Sequence, residues 1–259
     1  MIGEFIKPAI ESWQRGDLAA TEAQLKRAAL SDDGGLNALA ELLLADLFRS
    51  RGAVEDAFIA LGIAAGSPQG TIAALASCVM GNMYEEYGDI QAAQSSYEKA
   101  MASGNADLAA RARAYLAQLK YYEGDVDTAV ALLSDVAARG VREWSGRAAG
   151  LLGDIRFANG DYAEAYEAFR RAAELDAPTE ADRAVVILSV LVDAGFGGES
   201  AAEEYASLNV PGVSAERQAY IESTLDRWSR GGPISDSLAV ADPLWSGYYR
   251  SAQKYLASH

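Results

Sequence analysis

The side chains that carry most enzyme chemistry are scarce in this chain. Cys78 is the only cysteine, and His259, the last residue, is the only histidine. One thiol makes neither an intramolecular disulfide nor a thiolate metal cluster. A terminal imidazole leaves no histidine for a zinc site, a Ser–His–Asp triad or a Cys–His dyad. Cys78 has no neighbouring cation to depress its pKa, so it reads as a small wall or core residue. Gly195-Phe196-Gly197-Gly198 follows a helical pattern, not a strand, and lacks the third glycine of a dinucleotide fingerprint. No phosphate-cradling loop ends in Gly-Lys-Ser/Thr, and acid pairs such as Glu203-Glu204 sit on an amphipathic pattern as a solvated face. The sequence therefore predicts no catalytic residue, no metal and no cofactor.

What recurs instead is polar side chains at a fixed interval. Asp46, Asn82, Gln118 and Asp154 follow one another every 36 residues, as do Arg111, Arg147 and Arg183. Such a ladder has two readings: hydrogen-bonding groups for an extended peptide backbone, or polar positions that simply face solvent. The arginines either take a carboxylate or phosphate of a partner or pair with acids of the adjoining repeat. Glu85-Glu86 and Tyr121-Tyr122 occupy a further pair of recurring slots. Tyrosine offers contact area with a polar tip; Tyr121 is expected to face a ligand and Tyr122 the core.

The interval belongs to the whole chain. Glycines stand at Gly16, Gly52, Gly88, Gly124 and Gly160, and the next slot holds Phe196 within a glycine-rich turn. Asp17, Asp89, Asp125 and Asp161 follow four of them. Five residues after the turn come Ala57, Ala93, Ala129, Ala165 and Ala201, and nine after come Leu25, Leu61, Tyr97, Leu133, Phe169 and Tyr205. Seven before stand the small residues Ala45, Gly81, Ala117, Gly153 and Ser189, with large apolar ones at Leu44, Met80, Leu116, Leu152 and Leu188. Offsets of five, nine and twelve trace one face of a helix. Glycine ends a first helix in the left-handed conformation, and aspartate caps a second; Asp161 with Glu164 has capping-box spacing. Each helical hairpin is too small to bury its own apolar face, so stacked neighbours supply the core.

This pattern resembles the tetratricopeptide repeat, a two-helix unit of roughly 34 residues. The match is fullest at Gly81, Tyr84, Gly88-Asp89, Ala93, Tyr97 and Ala100, and again at Leu152-Gly153, Gly160-Asp161-Tyr162, Ala165, Phe169 and Ala172. The extra residues of each unit fall around Ser103-Gly104-Asn105 and Arg139-Gly140-Val141. Thr21 in a small-residue slot and Lys120 in an aromatic one depart from the pattern. The resemblance implies an all-α, right-handed α-solenoid of about six helical hairpins with C-terminal capping helices, and a non-enzymatic scaffold that binds a peptide in a concave groove. First helices are expected near 2–14, 35–50, 69–87, 106–123, 141–159 and 179–195. Their partners are expected near 17–30, 53–65, 89–103, 125–139, 161–175 and 199–208. The groove residues so implied are Asp46, Asn82, Gln118, Asp154, Glu85, Tyr121, Arg111 and Arg147. Relatives that clamp acidic chaperone tails use basic side chains where this chain has Cys78, Ala114 and Gly150, so that activity is not expected.

The repeat array is expected over 1–210 and a separate segment over 211–259. In the latter, Leu244, Trp245, Tyr248, Tyr249, Tyr255 and Leu256 make either a capping helix or a docking helix that forms a homodimer. The 22 basic residues against 37 acidic ones give a net charge of −15, which repels nucleic acid and anionic membranes and favours a basic or neutral protein partner. No apolar run reaches the ~20 residues of a membrane span, and the first residues lack a secretory pattern, so a cytoplasmic location without membrane insertion is expected. A regulatory peptide sensor or assembly-factor subunit, acting through a partner protein, is the alternative function.

Overall fold

A computed structural model describes residues 2–175 and, beyond them, Ala184, Ile187, Leu188 and Leu191. Ten helices occupy the continuous stretch: α1 (Ile2–Gln14), α2 (Leu18–Ala29), α3 (Gly34–Ser50), α4 (Val54–Ala65), α5 (Gly70–Glu86), α6 (Ile90–Met101), α7 (Ala106–Tyr122), α8 (Val126–Ala138), α9 (Arg142–Asn159) and α10 (Tyr162–Glu174). Among the described residues there is no strand, and every expected helix up to residue 175 is present within a few residues of its expected ends. The four further residues are helical and buried, and Leu188 fills the large apolar slot. The rest of the expected hairpin at 179–208, the turn at Phe196, Arg183 and the whole of 211–259 lie outside the described residues.

The five turn glycines have φ of +76° at Gly16, +72° at Gly52, +78° at Gly88, +84° at Gly124 and +84° at Gly160. In each turn the next residue's N–H reaches back five residues: Asp17 to Ser12 O (2.9 Å), Ala53 to Phe48 O (2.9 Å), Asp89 to Tyr84 O (2.8 Å), Asp125 to Lys120 O (2.9 Å) and Asp161 to Arg156 O (2.9 Å). This is the Schellman closure, in which a left-handed residue lets the chain satisfy carbonyls that the helix end would leave open. Asp17 and Asp89 then cap the second helix, accepting from Ala20 N (3.0 Å) and Ala92 N (3.1 Å). The capping box expected at Asp161 and Glu164 does not form. The Asp161 carboxylate is drawn instead to Arg156 Nη1 at 3.2 Å, so no side chain caps α10. A second set of left-handed glycines, Gly104 and Gly140, follows α6 and α8, again 36 residues apart. Asp33 and Asn105 start α3 and α7 as caps.

The chain divides into two compact units, Met1–Asp125 and Val126–His259. In the first, α1 packs on α2, α3 on α4 and α5 on α6, and the first helices also touch along the series α1, α3, α5, α7. In the second, α9 packs on both α8 and α10. Inside the hairpins α5–α6 and α9–α10 a small residue of the first helix faces a large one of the second. A methyl group built on Gly81 would lie 2.4 Å from Tyr97 Cε1, and one on Gly153 would lie 2.6 Å from Phe169 Cε1. Both rings are fully buried. Ala9 and Leu25, and Ala45 and Leu61, are buried in one apolar cluster of the first unit.

The two departures in sequence are accommodated locally. Thr21 is buried but donates its hydroxyl to Asp17 O at 2.8 Å, so no polar group is stranded. Lys120 places its ammonium 2.8 Å from both Gln94 Oε1 and Glu123 Oε2.

Gly81→Ala should destabilise the protein, because overpacking against the Tyr97 ring costs about 1–3 kcal/mol and outweighs the ~1 kcal/mol gained in helix propensity. In a Tyr97→Leu background the same change should be neutral or stabilising, since Ala with Leu is the pairing of the first two hairpins. Urea unfolding of the four proteins checks this reversal of sign.

Candidate functional site

Four slots of each first helix, thirteen, nine, six and two residues before its turn glycine, have the 4-3-4 spacing of a single helix face. In α3 they hold Leu39, Leu43, Asp46 and Ser50; in α5, Leu75, Val79, Asn82 and Glu86; in α7, Arg111, Tyr115, Gln118 and Tyr122. All are half-buried or exposed, whereas the slots eight and seven before the glycine are buried in α3 and α7 and turn into the hairpin. Because α5 touches both α3 and α7, the face is a continuous wall within the first unit. It is apolar at Leu39, Leu43, Leu75 and Val79 and polar along Asp46, Asn82 and Gln118. In the second unit, α9 carries Arg147, Leu151, Asp154 and Ala158 at the same slots.

The sequence-derived site residues lie on these helices, each in a different setting. Asp46 is exposed, and Asn82, Gln118 and Asp154 are half-buried. Gln118 Nε2 donates to the Tyr122 hydroxyl at 3.1 Å. Asn82 and Glu85 converge on the hydroxyl of Tyr97, which reaches out from the core to lie 2.7 Å from Asn82 Oδ1 and 2.9 Å from Glu85 Oε2. Burial first, and the Glu85 carboxylate next, raise the Tyr97 pKa well above the usual phenol range, so the group is a neutral donor. The Arg111 guanidinium lies 5.4 Å from the Tyr115 ring centre and that of Arg147 lies 5.0 Å from the Trp144 ring, each an aromatic of its own helix.

One tyrosine is placed against expectation. Tyr122, expected in the core, is 68% exposed. It is the last residue of α7, where the chain turns at Gly124, and its ring leans on Tyr121 with centres 6.0 Å apart. Tyr121 is half-buried. The sequence reading also missed Tyr115 and the apolar half of the wall, although the pairs Leu39 with Leu75 and Leu43 with Val79 are each 36 residues apart and so carried a signal. The link from Tyr97 to Asn82 and Glu85 had none, because it joins slots on two helices.

Cys78 is fully buried on α5, with Sγ 3.9 Å from Leu108 O. Burial pushes the thiol up to about 11, against a smaller opposing effect of Arg111. Ala114 and Gly150, at the equivalent slots, are buried as well. Among the described residues no group of His, Cys, Asp and Glu is placed to hold a metal ion, and no helix is long and apolar enough to cross a membrane.

The model of the tetratricopeptide repeat-like domain matches residues 6–110 and 63–190. The chain belongs to the tetratricopeptide repeat-like family. Solved structures show the same fold at low identity. One crystal structure of MamA is 20% identical, covers 63% of this chain and 91% of its own, and superposes with a TM-score of 0.50. Another of the MamA protein, also 20% identical with a TM-score of 0.50, covers 67% of this chain and 90% of its own. No curated protein matches the chain. The tetratricopeptide-like repeats give this protein the fold of a protein-interaction scaffold.

Two outcomes follow for the buried polar groups. With its pKa raised to about 11, Cys78 is a neutral thiol at neutral pH, so a disulfide reagent at pH 8 should label it only as fast as the fold opens. Fast labelling of the native protein contradicts this burial. Tyr97→Phe leaves the ring packing but removes the hydroxyl, and should cost about 1–2 kcal/mol in urea unfolding.

Proposed function

We propose that this chain is a non-enzymatic scaffold that holds a peptide or protein segment along the wall of α3, α5 and α7. One observation carries the reading: helices in mutual contact present, at a one-repeat interval, an apolar strip beside a polar one. An extended segment laid across them would set apolar side chains on Leu39, Leu43, Leu75 and Val79 and hydrogen-bond to Asp46, Asn82 and Gln118. Tyr121 would add contact area. Arg147 and Asp154 hold the equivalent slots on α9, and Arg111, steadied by the Tyr115 ring, would meet an acceptor group of the partner. With a net charge of −15 the preferred partner is basic or neutral, and nucleic acid and membrane insertion are disfavoured. Nothing in the described chemistry calls for a cofactor.

A photo-reactive residue placed in the full chain at Asp46 or Gln118, and separately at Ile59, tests this. Ile59 is 63% exposed on α4, outside the first-helix series. In cells that make the protein, the partner should be captured from Asp46 and Gln118 and not from Ile59. Capture from Ile59 alone contradicts the proposal.

A further inference from the structure

The proton count at Tyr97 decides what the wall offers a partner. A phenol has one proton, and here two side-chain groups lie within hydrogen-bond distance of its oxygen, Asn82 at 2.7 Å and Glu85 at 2.9 Å. The carboxylate can only accept, so it takes the proton. Facing a hydroxyl whose proton is committed, the Asn82 amide is satisfied only through its N–H. Turning the amide over serves the same 2.7 Å contact, since its two ends are nearly alike in shape. The amide oxygen then faces away from the phenol and is left to accept.

We propose that Asn82 and Glu85 form an all-acceptor subsite that takes a cationic side chain of the partner, arginine above lysine. This rests on the wall being the binding face and names the chemistry it reads. The Tyr97 hydroxyl, rising from a ring locked against Gly81, fixes both acceptors before any ligand arrives, which lowers the ordering cost of binding. Among the described residues Glu85 has no ion-pair partner. The nearby Arg49 is directed to Glu86 instead, at 3.9 Å. Two acceptors held by one hydroxyl suit the forked donors of a guanidinium better than the single ammonium of lysine.

The test is selection of random octapeptides on the full-length protein, followed by titration of a selected peptide, its Arg→citrulline form and the Glu85→Gln protein. Glutamine keeps an acceptor for the Tyr97 proton, so the variant keeps its fold, which its circular dichroism and urea midpoint verify. The expected result is enrichment of arginine at one position among apolar ones. Citrulline, or Glu85→Gln, should then weaken binding about tenfold, with little further loss when the two are combined. Selected peptides without a basic position, or an arginine whose contribution survives Glu85→Gln, overturn the subsite while leaving the wall as the binding face. If no peptide is enriched, or binding survives disruption of the wall by Val79→Glu, both the subsite and the wall are overturned.

Discussion

The structure depends on how closely two helix backbones approach within each hairpin. That approach is set by one small residue and one large one, and their sizes are matched. Where the second helix has leucine, at Leu25 and Leu61, the first has Ala9 and Ala45. Where it has an aromatic ring, at Tyr97 and Phe169, the first has Gly81 and Gly153. A ring occupies the space that a methyl group on the facing helix would need, at 2.4 Å and 2.6 Å, so in those two hairpins only glycine permits the observed distance. Total volume is conserved along the repeats while its division between helices changes.

From that contact the wall of first helices follows. Pulling the second helix onto one side of the first leaves the opposite side free to touch the first helices of neighbouring repeats, and these together make the wall. Tyr97 ties the two sides together, since its ring belongs to the core and its hydroxyl to the wall. Phe169 fills the same core slot without a hydroxyl. Repeats that are alike as packing units are therefore unlike as surfaces. Charge acts at longer range: a net charge of −15 sets up a field that attracts positive groups before any contact is made.

The fold was largely legible in the sequence because its determinants are local and periodic. A glycine with positive φ, a capping aspartate and a small residue opposite a large one each leave a mark at fixed spacing, and the helix ends followed from them. Failures occurred where a side chain had a second choice. Asp161 had Arg156 within reach and left the cap, and Tyr122 lay so near its turn that its direction was not set by helix periodicity. The candidate site was legible as a row of slots and not as chemistry. Position along the repeat finds Asn82, but only coordinates show that the hydroxyl of a core tyrosine comes up beside it and beside Glu85.

Amide hydrogen exchange of the full-length protein, with and without the partner it captures, tests the central claim most directly. The account predicts that binding slows exchange in α3 (Gly34–Ser50), α5 (Gly70–Glu86) and α7 (Ala106–Tyr122), while α4 (Val54–Ala65) and α6 (Ile90–Met101) change little. Protection confined to α4 and α6, with α3, α5 and α7 unaltered, would contradict it.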